Sequence, residues 1–342
     1  MGTKNKTKPQ LQLTYNSGEL VHMLKYMRKA GSASHTLFNN KYLHPVFGNP
    51  DGYGNYIIQV GNRTDIVFTA HHDTVHNKGG MQTVEVVGNK VGLPTQSMSN
   101  CLGADCTTGI WLILNMIAHN VPGIYIIHAD EESGCIGSKA LVKSRPQWLD
   151  QVDAVISFDR YGTNSVITYQ SGFRTCSDEF GKSLSRILGM GHELDDGGSY
   201  TDSNAYKDVV PECTNLSVGY YSQHTNREHQ NLTYAEDLCK KLILADWDKL
   251  VISRDPNVSD SLYHYGYGNR SYGYWGDYWS NTNTGDHHRL QGDTDDYSQL
   301  LKSIKDHPQD WADMLLASGI THMDLVDYVA GIYDDDHYWD MR

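Results

Sequence analysis

From Gly54 onward the chain alternates short apolar runs with longer amphipathic ones. "GNYIIQVG", "TDIVFTAHH", "GIYIIHADEESG" and "DAVISFDRYG" are strand-length runs, and the last three close on histidines or acids. Continuous rather than alternating apolar character is expected of strands buried on both faces of a parallel sheet, which deliver ligands at their C-terminal ends. Between them, "TTGIWLILNMIAHN", "GSKALVKSRPQWL" and "DEFGKSLSRILGMG" have the spacing of packed helices, with Thr107 or Thr108 near the start of the first. "SGELVHMLKYMRKAG" predicts an opening helix that stops at Gly31, and "TYAEDLCKKLILADWDKLVIS" predicts a long final one. The alternation predicts a three-layer α/β/α sandwich with a mostly parallel mixed central sheet.

The pattern changes after residue 254. "YHYGYGNRSYGYWGDYWSNTNTGDHH" has no helical period and reads as a linker over 255–295, or as an aromatic segment that holds a partner. Residues 296–342 contain short amphipathic runs broken by Pro308 and Gly319, as expected of a small helical module with a possible protein partner. Charge follows the same division. Residues 255–342 hold sixteen Asp, no Glu and five Lys plus Arg, whereas residues 1–254 are close to balanced. The step supports a catalytic domain over 1–254 followed by the other two segments. Neither part is basic enough for nucleic acid. No run approaches the roughly 18 apolar residues of a membrane span. The polar start "MGTKNKTKPQ" carries no secretory signal, so the expected location is cytoplasmic. The six cysteines form no CxxC pair and are expected to be reduced thiols.

The strand ends carry the candidate chemistry. Residues two apart on a strand share a face, so His71 and Asp73 would point together and His72 away. A carboxylate beside a ligating histidine fixes its tautomer. Asp105 in "LGADCTTG" precedes a helix in a glycine-containing loop, Glu131 and Glu132 lie side by side, Asp159 closes "ISFDR", and His224 lies in "VGYYSQHTNRE". Each alone is ordinarily solvated surface. Together they suggest one rim carrying His, Asp, Glu-Glu, Asp and His. Metal-assisted hydrolysis needs such a set: two ions about 3.5–4 Å apart, a shared carboxylate, and a further carboxylate to move a proton.

The ordered set "AHHDTV", "GADCTTG", "DEESG", "SFDR" and "GYYSQHTNRE", over about residues 50–245, resembles the co-catalytic di-zinc exopeptidases of clan MH, which include leucyl aminopeptidases and peptidase T. The resemblance implies that His71 and Asp159 bind one Zn2+, that Glu132 and His224 bind the other, and that Asp105 bridges both. Co2+ or Mn2+ would suit the same donors. Glu131 would be the general base and acid, and Asp73 would orient His71. His72 would be a bystander, His76 a bystander or a residue lining the cleft, and Asp202 would lie near the site or in a plain turn. In many relatives a cis peptide follows the bridging Asp, which implies one before Cys106. The 65 positions from Asp159 to His224 leave no room for the lid domain of the carboxypeptidase branch. The expected activity is that of an aminopeptidase acting on peptides. The alternatives are a lid-less amidohydrolase on N-acyl amino acids or small amides, and a non-catalytic scaffold.

Overall fold

The computed structural model describes residues 11–258, 260 and 305. The expected linker over 255–295 and module over 296–342 therefore lie, apart from residues 255–258, 260 and 305, outside the described residues. The centre is a seven-stranded sheet built from β1 (Tyr56–Val60), β2 (Ile66–His71), β3 (Gly123–His128), β4 (Ala154–Arg160), β5 (Ser165–Ile167), β6 (Glu193–Asp195) and β7 (Glu212–Ser217). Their order is β6-β5-β7-β4-β2-β3-β1. β2 runs parallel to β3 and β4, β4 to β7, and β5 to β6. β1 is antiparallel to β3, and β5 to β7, so the sheet is mixed and mostly parallel, as expected.

Both faces of the central strands are apolar because helices cover both. Ile66, Phe68 and Ala70 of β2, with Tyr125, Ile127, Ile156 and Phe158, pack on one side. That side is covered by α1 (Ser17–Met23), α2 (Ala104–Ala118), α4 (Asp178–Leu188) and α5 (Leu232–Leu244). Val67, Ile124, Ile126 and Val155 face the other layer, where Leu141 of α3 (Ile136–Ser144) and Tyr206 pack. Two separate apolar clusters, one on each face, make the three layers.

Three expectations on extent change. The opening helix ends at Met23 rather than Gly31, and Tyr26–Met27 pairs as a short strand with Gly80–Met81. The backbone of Arg28 then exchanges bonds with Thr74, at 3.1 Å each way, so tertiary pairing overrides helical spacing here. The final helix stops at Leu244, and Trp247–Lys249 forms a separate 3-10 turn. α2 begins at Ala104, which takes Asp105 out of the loop and into the first helical turn. The Asp105–Cys106 peptide is trans, as are all described peptide bonds, which corrects the cis expectation. A regular first turn continues through both residues and needs no cis bond there.

Candidate active site

Parallel pairing sets the level of the donors. His71 is in register with His128 on β3, and Thr69 with Ser157 on β4, so His71 and Asp159 each lie two residues past a matched pair. Their side chains meet, with His71 Nε2 at 3.7 Å from Asp159 Oδ1. Asp73 lies beyond the end of β2, so strand alternation does not place it; a turn brings its Oδ1 to 3.4 Å from His71 Nδ1. The same carboxylate accepts the backbone N–H groups of Glu131 and Glu132, both at 3.1 Å. Asp73 therefore faces the His71 ring and holds the acid pair, a second task that sequence spacing does not reveal.

The other half is built from α2 and the loop after β7. His224 Nε2 lies 3.0 Å from Asp105 Oδ2 and 3.3 Å from Glu132 Oε1. Donor atoms of Asp105, Glu132 and His224 lie within 4.8 Å of one another, as do those of His71, Glu131 and Glu132, and those of His71, Asp105 and Cys106. The structure thus brings His71, Asp105, Glu131, Glu132, Asp159 and His224 into one cluster. Thr201 Oγ1 donates to Asp159 Oδ2 at 2.8 Å, and Cys135 Sγ lies 3.6 Å from Glu131 Oε1. Sequence reasoning gave neither residue a role. Asp202, beside Thr201, is buried with both carboxylate oxygens free of hydrogen bonds.

His72 and His76 turn elsewhere. His72 packs against the His35 ring with centroids 4.7 Å apart, and its Nε2 reaches the Gly54 carbonyl at 3.2 Å. His76 sits between Thr74 Oγ1 and Gln82 Oε1, at 2.7 and 3.2 Å. Burial pulls both imidazoles down to about 4, so they are neutral near pH 7.

The donor set fits metal ions. Two ligands on a tetrahedral ion with bonds near 2.0–2.2 Å lie roughly 3.3–3.6 Å apart, and the His71–Asp159 and His224–Glu132 separations flank that span. Glu132 Oε1 is buried with His224 Nε2 facing it at 3.3 Å, and a buried carboxylate is costly unless positive charge meets it. Charge points the same way. Burial pushes the Glu131 carboxyl well above its usual range, with Asp159, Glu132 and Asp202 adding to the rise against His71. Burial also raises Glu132 to about 7, with Asp105 adding and His224 opposing. Bonds to Asp105 and Glu132 outweigh burial at His224 and lift it to about 11. Crowded buried acids with so few positive partners are stabilised by bound cations.

Residues 55–194 match the family model described as Peptidase family M28. Among solved structures, the aminopeptidase PepT from Bacillus cereus ATCC 10987 aligns with a TM-score of 0.50 at 15% identity, covering 66% of this chain and 96% of that one. A tripeptidase from Staphylococcus aureus subsp. aureus mu50 aligns at 0.52 and 14%, covering 67% and 98%. The TET1 peptidase of Pyrococcus horikoshii aligns at 0.50 and 15%, covering 68% and 100%. At these identities the likeness is one of fold. A search of curated proteins by sequence found no match.

Proposed function

We propose, from the premise that this chain carries a peptidase family M28 domain over residues 55–194, that it is a zinc-dependent aminopeptidase. The observation that carries this reading is the position of Glu131. It is a half-buried acid beside a donor set of two histidines and three carboxylates, and the backbone N–H groups of Glu131 and Glu132 both rest on Asp73. The aminopeptidase and tripeptidase names of the fold neighbours favour release of single residues from a free N-terminus.

His71 and Asp159 would hold one ion, Glu132 and His224 the other, and Asp105 both. Bound zinc supplies Lewis acidity that polarises a carbonyl and lowers the pKa of water toward roughly 7. The remaining work belongs to the chain. Asp73, on the Nδ1 side of His71, keeps the ring proton there and leaves the Nε2 lone pair toward Asp159. Glu131 takes a proton from the attacking water and passes it to the leaving amine.

The test is mass spectrometry of a peptide pool incubated with the chain and zinc, each peptide both free and N-acetylated. Single residues should leave only the free N-termini. Cleavage confined to blocked substrates would replace this reading with an amidohydrolase. Glu131→Gln should keep fold and metal content and lower kcat by at least about a hundredfold, in the range expected for a lost general base. Near-normal turnover would remove Glu131 from the mechanism.

A further inference from the structure

His224 is carried by an exposed loop. Residues 221–224, 226 and 227 are exposed, and His224 and Ser222 both take the left-handed backbone conformation, with φ of 60° and 58°. The hydrogen bonds within the loop are short-range: Thr225 Oγ1 donates to the Ser222 carbonyl, and the Glu228 N–H to the Thr225 carbonyl. A short ladder pairs Tyr221 with His229 at the base of the loop, but it does not by itself fix an imidazole at position 224 against a carboxylate on a distant helix.

Glu228 ends the loop and is 1% exposed. Its Oε2 accepts the backbone N–H groups of Leu102 and Gly103 at 2.8 and 3.0 Å, and its Oε1 that of Ala104 at 2.7 Å. These N–H groups open α2 and have no partner inside the helix. Asp105 is the next residue, and His224 lies four residues before Glu228, so one buried carboxylate ties the two segments that meet at 3.0 Å. His71 and Asp159 are held differently, by paired strands of the central sheet. Glu228 lies outside the family-matched residues, and the mechanism above gives it no step.

We infer that Glu228 is the positioning residue for the half of the metal centre formed by Asp105, Glu132 and His224, setting the reach of His224 to Asp105 by anchoring its loop on the start of α2. This rests on the two-metal reading. In Glu228→Gln one side-chain oxygen becomes an NH2 group facing backbone donors, so part of the anchor is lost at nearly constant volume. Loss of an outer hydrogen-bond partner of a metal ligand typically lowers metal affinity 10–100-fold.

The experiment titrates the metal-free full chain and Glu228→Gln with Co2+, following heat and visible absorption, with circular dichroism to check the fold. The expected result is two ions bound to the wild type. In the folded variant one of them should bind at least about tenfold more weakly with an altered absorption band, while the other stays within about threefold. A folded variant that binds both ions with wild-type affinity and spectrum overturns the inference, even if it melts at a lower temperature, because Glu228 is then only structural. A wild type that binds no Co2+ refutes the metal reading and this inference with it. If the variant does not fold, hydrogen exchange of the metal-free wild type decides. Amides 102–104 should be as protected as those of β2, and exchange at loop-like rates overturns the anchor.

Discussion

Gly109 is one helical turn past Asp105 on α2, where helix and sheet come closest. A Cβ added there would sit 2.2 Å from the carbonyl oxygen of Phe158 and 3.0 Å from Cβ of Ala70. Those two residues directly precede Asp159 and His71. Ordinary contact begins near 3.4 Å, so Gly109→Ala must part α2 from β4 by about 1 Å. Overpacking of this kind costs about 1–3 kcal/mol, and the better helix propensity of Ala returns roughly 1 kcal/mol. The net loss of about 0–2 kcal/mol lowers Tm by roughly 8 °C at most in a domain of this size. The effect on the site is larger. A shift of about 1 Å between Asp105 and the His71–Asp159 pair is expected to lower turnover about a hundredfold. Thermal melts, metal analysis and kcat of the purified variant measure each part. Gly52→Ala is the control, since nothing lies within 4 Å of its added Cβ. A Gly109→Ala protein with wild-type Tm and kcat within about threefold would refute the claim that this contact sets the site's spacing.

The other predictions concern acid stability and the domain's end. Burial pulls His192 down to about 4 from 6.5, so the folded state holds it neutral while the unfolded chain takes up a proton. Its stabilising contribution is complete above pH 6.5 and is lost as pH falls toward 4. His192→Gln should therefore gain on the wild type by on the order of 1 kcal/mol per pH unit across that window, and parallel Tm–pH curves would contradict the sign. Trp247 packs edge-on to Phe68 at 4.8 Å, and Glu212 accepts the N–H groups of Ser253 and Arg254 at 2.8 and 2.9 Å. A chain ended after Asp260, which keeps the bonds from Arg174 and Tyr169 to Asp260, should fold with nearly unchanged Tm, whereas one ended after Asp246 should lose about 3–5 kcal/mol and express poorly. Equal behaviour of the two in circular dichroism would move the boundary.

The sandwich was legible because buried strands and packed helices differ in run length and in what closes them. "IVFTA" and "AVISF" carry only the small hydroxyls of Thr69 and Ser157 among their apolar positions and are followed by a His or an Asp, which fits strands covered on both faces. Most donors were legible for the same reason, since they sit at or just past those ends. What periodicity missed depends on contacts across the chain. The opening helix is cut short at Met23 because Arg28 pairs with Thr74, 46 positions away. Asp73 reaches His71 through a turn rather than by strand alternation, and only folding shows that it also receives Glu131 and Glu132. Glu228 stood in plain view in "HTNRE", but an acid after an exposed Arg looks like solvated surface until its three N–H partners are seen.

These omissions share one physical cause. A side chain's identity is written where it stands, but the distance between two clustered side chains belongs to whatever joins their backbones. For His71 and Asp159 that link is the β2–β4 ladder, which the strand pattern already implies, and Gly109 governs how near α2 comes to it. For His224 the ladder of Tyr220–Tyr221 with His229–Asn231 stops at the base of the exposed loop, so the link from the loop to the start of α2 is a side chain, and a side chain's partner is not readable from local spacing. Buried polar groups without local partners are therefore the places where sequence reading of such a site should look first. Arg28 is one such group. Its buried guanidinium donates to the His72 carbonyl and to Thr107 Oγ1, joining the segment of His71 and Asp73 to the first turn of α2. Asp105 is thus held from two sides by charged residues that lie outside the matched family segment, and both hold it through its neighbours rather than by touching it.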